Sequence, residues 1–210
     1  MRTVSDSNMT ITYEVNGNLY VNMTNRCPCA CEFCVRGESD SVGGSDSLWL
    51  EREPTFDEIM ESIKSRNLSS YGEIVFCGFG EPTCRLEDLL LVARTLRERC
   101  KLPLRLNTNG LSDLINGRNT AQEFSGLFDT ISISLNASSP EEYNALCHPK
   151  YGLEAFPALL KFTQALVPLI PHVVLSVVDT ISAEELARCR KISEDCGAAL
   201  RVRKLIGTEG

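Results

Sequence analysis

Three cysteines set the chemistry open to this chain. Cys27, Cys31 and Cys34 stand in the run TNRCPCACEFC, a C-x3-C-x2-C spacing with aromatic Phe33 before the last thiol. Thiolates brought close together on one flexible loop are ligands for iron–sulfur clusters. Three ligands for a four-iron cluster leave one iron open to a small molecule, by the logic that keeps a catalytic zinc site open. A structural zinc site is the rival reading, and it wants four closed ligands, often as two C-x2-C pairs or with histidines. His148 and His172 lie far away in sequence, and no second C-x2-C exists. Cys29 could supply a fourth thiol, but it is crowded between Cys27 and Cys31 and reads as a bystander.

The other six cysteines, at positions 77, 84, 100, 147, 189 and 196, are scattered. A second cluster would need another grouped set. Cys77 and Cys147 read as small buried hydrophobes. For Cys147 the alternative is a substrate contact or a thiyl-forming group. Cys84, Cys100, Cys189 and Cys196 receive no function.

The elements that must hold this loop follow a strand–helix rhythm. Ile11, Tyr13 and Val15 alternate with polar residues, Asn16-Gly17 follows, and a second run covers 19–23. Asn-Gly between two alternating runs predicts a type I′ hairpin. An irregular segment over 24–47 carries the cysteines and the glycine- and serine-rich stretch 37–47. A loop of that length is normally functional or disordered, and it reads as a lid, with Trp49 and Leu50 folding it down. Thr55 and Glu58 make a capping box opening a helix to about Asn67. Strands are expected at 73–77, 104–107, 130–135, 173–178 and 200–205. Helical spacing appears over 86–96, 121–127, 140–146 and 154–166, and Ser182 with Glu185 caps a helix to about Asp195. Counting 19–23 as the first, this makes six parallel strands with helical crossovers. The expected fold is α/β: a laterally open, partial (β/α)6 TIM-like barrel with a short N-terminal β-hairpin, since eight units are needed to close one. One domain over 1–210 is expected, with 1–18 as the hairpin strand and 24–47 as the cluster-binding and lid loop.

Composition narrows the setting. The 210 residues are 43% hydrophobic with a net charge of −7, enough for one core and without the basic footprint of a protein that grips nucleic acid. Mean hydropathy is −0.08, and no apolar stretch approaches the ~18 residues of a membrane span. The first residues show no apolar signal region, so a cytoplasmic setting is expected.

Taken together, the motifs resemble the radical S-adenosylmethionine (SAM) superfamily. The C-x3-C-x-φ-C loop follows a first strand. Gly78-Phe79-Gly80-Glu81-Pro82 is similar to the superfamily's G-x-G-E-P motif. Asn107-Thr108-Asn109-Gly110 ends the third strand, and Ser132-Ile133-Ser134-Leu135-Asn136-Ala137 the fourth. More narrowly, the segments NLYVNMTNRC, LWLEREPT, CGFGEPT, NTNG, NGRN and SISLNA resemble the small radical SAM proteins described as TatD family-associated.

The resemblance implies an oxygen-sensitive enzyme with two cofactors, a [4Fe–4S] cluster on Cys27, Cys31 and Cys34, and SAM. It implies reductive cleavage of SAM to methionine and a 5′-deoxyadenosyl radical that takes hydrogen from a substrate. SAM contacts are then expected from Phe33, Gly78, Gly80, Glu81, Pro82, Asn107, Asn109, Ser134, Asn136 and Ile206. Gly78 and Gly80 would let the backbone approach the methionine part. Glu81 could instead be a turn carboxylate capping a helix. A one-electron reductant such as flavodoxin or ferredoxin is the expected partner, and the substrate is expected to be a small molecule. The alternatives are an activating enzyme that makes a radical on a protein or peptide, and a non-catalytic zinc-binding module. Arg36, Arg105 and Arg201 are candidate anion holders, and Asp179 a candidate polar contact or helix cap.

Overall fold

A computed structural model describes residues 9–204. Strands β1 (Thr12–Val15) and β2 (Asn18–Val21) pair antiparallel, Val15 opposite Asn18. Asn16 and Gly17 have φ of 50° and 75°, the two positive angles of a type I′ turn, so the Asn-Gly signal is borne out. Five further strands follow: β3 (Ile74–Phe76), β4 (Leu104–Thr108), β5 (Thr130–Ser134), β6 (His172–Val178) and β7 (Ala199–Arg203). β2 to β7 are parallel and lie in chain order, and the sheet stays open. The expected six parallel strands and partial barrel are therefore present.

Alternation along each strand separates two faces. Leu19, Val21, Ile74, Phe76, Leu106, Ile131, Ile133, Leu175 and Val177 are fully buried beneath the helices. The opposite, concave face carries Tyr20, Asn22, Cys77, Arg105, Asn107, Ser132, Ser134 and Ser176, with Arg201 and Arg203 on β7. An apolar back and a polar front are what a sheet needs if it is to bury a core and still present a site.

The helices are α1 (Phe56–Lys64), α2 (Leu86–Arg99), α3 (Ser112–Asn116), α4 (Pro140–Cys147), α5 (Ala155–Leu166) and α6 (Ala183–Cys196). The Thr55–Glu58 capping box forms in both directions, and Ser182 caps α6 through the Glu185 amide. Two expectations shift. The α1 helix stops at Lys64, before Asn67. The short helix expected over 121–127 is a single 3-10 turn at Ala121–Phe124, while α3 went unforeseen. At five residues α3 is too short to show a period, and the left-handed Gly117 (φ 65°) ends it.

The expected lid is pinned rather than free. The Leu48 amide donates to the Asp40 carbonyl at 2.7 Å, and Trp49 Nε1 to Asp40 Oδ1 at 2.9 Å. Leu48 is buried with Tyr13 and Phe79 in a small cluster of its own, against Val15, Tyr20, Val35 and Val42. The loop thus closes the β1–β2 end of the concave face. Among the described residues no helix is long and apolar enough to cross a membrane.

Candidate active site at the strand mouth

The cysteine loop leaves the end of β2 and is tied down from both sides. Before Cys27, Thr24 and Arg26 both donate to Glu53, and Asn25 exchanges two hydrogen bonds with the Leu50 backbone, at 2.7 and 3.1 Å. Arg85 is almost fully buried and donates to the Met23 and Pro54 carbonyls and to Asp88. Beyond Cys27, the loop runs beside the end of α4 in a strand-like pairing. The Ala30 amide donates to the Cys147 carbonyl (3.0 Å), Glu32 to Leu146 (3.1 Å), and Lys150 back to Pro28 (2.9 Å). His148, left-handed at φ 43°, caps α4 and turns the chain to permit this.

All ten cysteines are free thiols. Cys29 lies between Cys27 and Cys31, and its thiol beside them lowers the ionisation range of both. Cys147 beside Cys31 is the largest cause lowering Cys31, and Cys147 is itself pushed up. Cys29 is therefore part of the packed thiol group rather than a bystander in space. Its own ionisation is pushed far up by the two flanking thiols and by burial. Among the described residues no three His, Cys, Asp or Glu side chains converge to hold one metal ion. A four-iron cluster takes its thiolates at separate corners.

Glu81 is 4% exposed and its carboxylate is saturated. Oε1 accepts from the Thr83 amide (3.1 Å), Thr83 Oγ1 (2.7 Å) and Thr108 Oγ1 (2.7 Å), and Oε2 from the Asn109 amide (2.7 Å). Burial still outweighs these donors and holds its pKa above the usual carboxylate range. Glu81 thus caps the 3-10 turn Pro82–Arg85, with Pro82 at its first position, and bridges two strand-end loops. Of its two expected roles, the structural one is what the geometry displays.

The glycines also have a packing reason within the protein. A Cβ on Gly78 would lie 2.0 Å from Asn22 Oδ1, and one on Gly80 2.3 Å from the Thr24 carbonyl and 2.7 Å from that of Arg26. The Asn22 side chain fills the space beside Gly78 and the backbone of the cysteine loop the space beside Gly80, so both glycines are required by close packing on β2 and the loop that follows it.

Around the mouth the remaining residues sort by how their polar atoms are used. Asn109 accepts from the Leu111 amide (2.9 Å) and reaches Cys29 Sγ at 3.8 Å. Asn136, left-handed at φ 60° and buried, donates to Cys147 Sγ at 3.6 Å. The Oδ1 atoms of Asn107 and Asn136 are buried and accept no hydrogen bond. Phe33 sits beneath the Arg203 guanidinium, 5.7 Å from ring centre to carbon. Ser134 lies half-buried on the concave face. Ile206 falls outside the described residues. Sequence reasoning missed Asn22, Asn25, Glu53 and Arg85. The available signal was Asn22 to Arg26, a polar run placed at the end of a buried strand.

Comparison with known proteins matches the radical SAM superfamily over residues 21–188. The probable dual-specificity RNA methyltransferase RlmN of Trichormus variabilis is 30% identical over 92 residues, 42% of this chain and 24% of that protein. The corresponding protein of Nostoc punctiforme is 29% identical over 114 residues, 53% of this chain and 29% of that one. The match therefore spans only 24–29% of the length of these curated relatives. Among solved structures, Streptococcus suis SuiB bound to its precursor peptide SuiA superposes with a TM-score of 0.66 at 14% identity, over 90% of this chain and 39% of SuiB. Methylornithine synthase (PylB) gives 0.62 at 13%, over 92% and 54%. Those two likenesses speak for the fold alone. The match over most of the chain sets aside the reading as a non-catalytic zinc module. The chain belongs to the radical SAM superfamily, enzymes whose cofactors are a [4Fe–4S] cluster and SAM.

Proposed function

We propose that this is a radical SAM enzyme in which Cys27, Cys31 and Cys34 hold the cluster and the concave face binds SAM and a small-molecule substrate. The observation that carries the reading is the pair of buried, unpartnered amide oxygens of Asn107 and Asn136 beside a loop of three correctly spaced thiols. A buried acceptor without a partner costs about 1–3 kcal/mol, which a ligand's hydroxyl or ammonium hydrogens would recover. The donor set suits the group: thiols for iron, amide oxygens and the Ser134 hydroxyl for the polar parts of SAM.

When bound, the cluster and SAM together supply a 5′-deoxyadenosyl radical by reductive cleavage of the C5′–S bond. The chain's own residues position and enclose. The α4 pairing fixes the path of the cysteine loop. Gly78, Gly80 and Pro82 hold the β3 loop against it. Glu81 and Asn109 lock the β3 and β4 loops together, which assigns them a positioning role beside SAM. Phe33, and Ile206 by resemblance, would flank the adenine. The electron would come from a reductant such as flavodoxin or ferredoxin. The kinship to the TatD family-associated proteins rests on the segments that resemble them.

Anaerobically reconstituted protein should absorb broadly near ~400 nm and, with dithionite, release 5′-deoxyadenosine from SAM. A Cys31→Ala protein should do neither. A Cys31→Ala protein that keeps both would sink the assignment. Running the product assay with candidate peptides separates small-molecule chemistry from the activating-enzyme alternative.

A further inference from the structure

Among the described residues the concave face carries two cations with no carboxylate partner. Most arginines of this acidic chain are paired with a carboxylate, and Arg105 on the same face is held by Glu73 at 2.9 Å and the Tyr20 hydroxyl at 3.2 Å. Arg36 donates to the Asn25 and Cys29 carbonyls and lies over the Trp49 ring. The two arginines of β7 differ. Arg201 and Arg203 are two residues apart, so both side chains project from one face of the strand, about 7 Å apart. They stand in register with Ser176 and Val178. Among the described residues neither forms a side-chain hydrogen bond or an ion pair. Arg201 is exposed. Arg203 is half-buried above Phe33, within electrostatic reach of Cys31, Cys77 and Cys147.

A guanidinium withdrawn from water without an anion is costly, and its planar fork matches carboxylate and phosphate. We propose that Arg201 and Arg203 are the anion-binding end of the site, and that the substrate carries a phosphate or carboxylate group there. This rests on the proposed SAM site. In that reading the methionine carboxylate of SAM would be held at the iron that the three thiols leave open, beside the β3 loop. The arginines are thus left for a second anion. Two cations this close suit a doubly charged group.

Reconstituted protein is titrated by calorimetry with pyrophosphate and, separately, with tricarballylate, each with and without SAM. One or both should bind, and which one does distinguishes a phosphate from a carboxylate substrate. Affinity should fall at least tenfold in Arg203→Gln and further in the R201Q/R203Q double variant. Arg203→Lys should keep part of it. SAM affinity should stay within about threefold throughout, with unchanged circular dichroism. If wild type binds neither anion, or the double variant binds as well as wild type, the proposal fails. It also fails if Arg203→Gln loses SAM tenfold while decarboxylated SAM binds normally, because the arginine then serves the cofactor. Arginine-dependent anion binding without any 5′-deoxyadenosine from wild type would overturn the parent reading and leave the anion site standing.

Discussion

The frame around the cysteine loop and the concave face it overlooks use their polar groups in opposite ways. In the frame, Thr24, Asn25, Arg26, Glu53, Glu81 and Arg85 direct their hydrogen-bonding capacity into the protein. On the face, among the described residues, the Asn107 and Asn136 oxygens accept no hydrogen bond and Arg201 and Arg203 have no ion-pair partner. A frame of that kind fixes where the thiols sit. A face of that kind has something left to offer a ligand. Stability should therefore reside in the first region and ligand affinity in the second.

The largest effect expected is from Gly80→Ala, whose methyl would lie 2.3 Å from a backbone carbonyl that cannot swing aside. Urea unfolding should show a loss of about 3 kcal/mol, at the upper end for overpacking. Glu81→Gln comes next. Its carbonyl can keep the three Oε1 bonds, but its amide would then point hydrogens at the Asn109 N–H, already a donor, for a loss of about 2–3 kcal/mol. Removing the two backbone partners supplied by Asn25, in Asn25→Ala, should cost about 1.5 kcal/mol. Ser134→Ala belongs to the other region and should change stability by less than about 0.5 kcal/mol while weakening SAM binding severalfold. Equal stability losses at Glu81 and Ser134 would erase the distinction.

The smallest effect is in pH. The Glu81 pKa is raised in the fold, so protonation favours the folded state as pH falls through that raised value toward the unfolded ~4.3. Glu58, held by Arg52 and the Thr55 amide, is pulled down to about 2. Its contribution is present above ~4.3 and is lost as pH falls toward 2. Unfolding midpoints of Glu81→Gln and Glu58→Gln across pH 2–7 should therefore depart from wild type in opposite directions.

The sheet was legible because its signals are local. Asn16-Gly17, the Thr55–Glu58 capping box, the Ser182 cap and five apolar runs each act within a few residues and sit where expected; of the second expected box only the Ser182 half forms, because the Glu185 carboxylate goes to Ser138 and Arg188. The candidate site was legible as a set of motifs at strand ends. What the motifs do for one another was not. Glu81 reads as a ligand contact until Thr108 and the Asn109 amide, 27 and 28 residues on, are found upon it. The packing need for Gly78 and Gly80 shows only when Asn22 and the 24–26 backbone are found against them. In each case the deciding partner is distant in sequence.

The pairing of the cysteine loop with the end of α4 joins positions about 120 residues apart. At roughly 5–20 residues per second of synthesis, the three thiols leave the ribosome on the order of 6–24 s before the segment that fixes their path. For that interval they are reactive groups on an unanchored nascent chain. The order of events during biosynthesis, and not only the finished geometry, thus bears on when this site can be loaded.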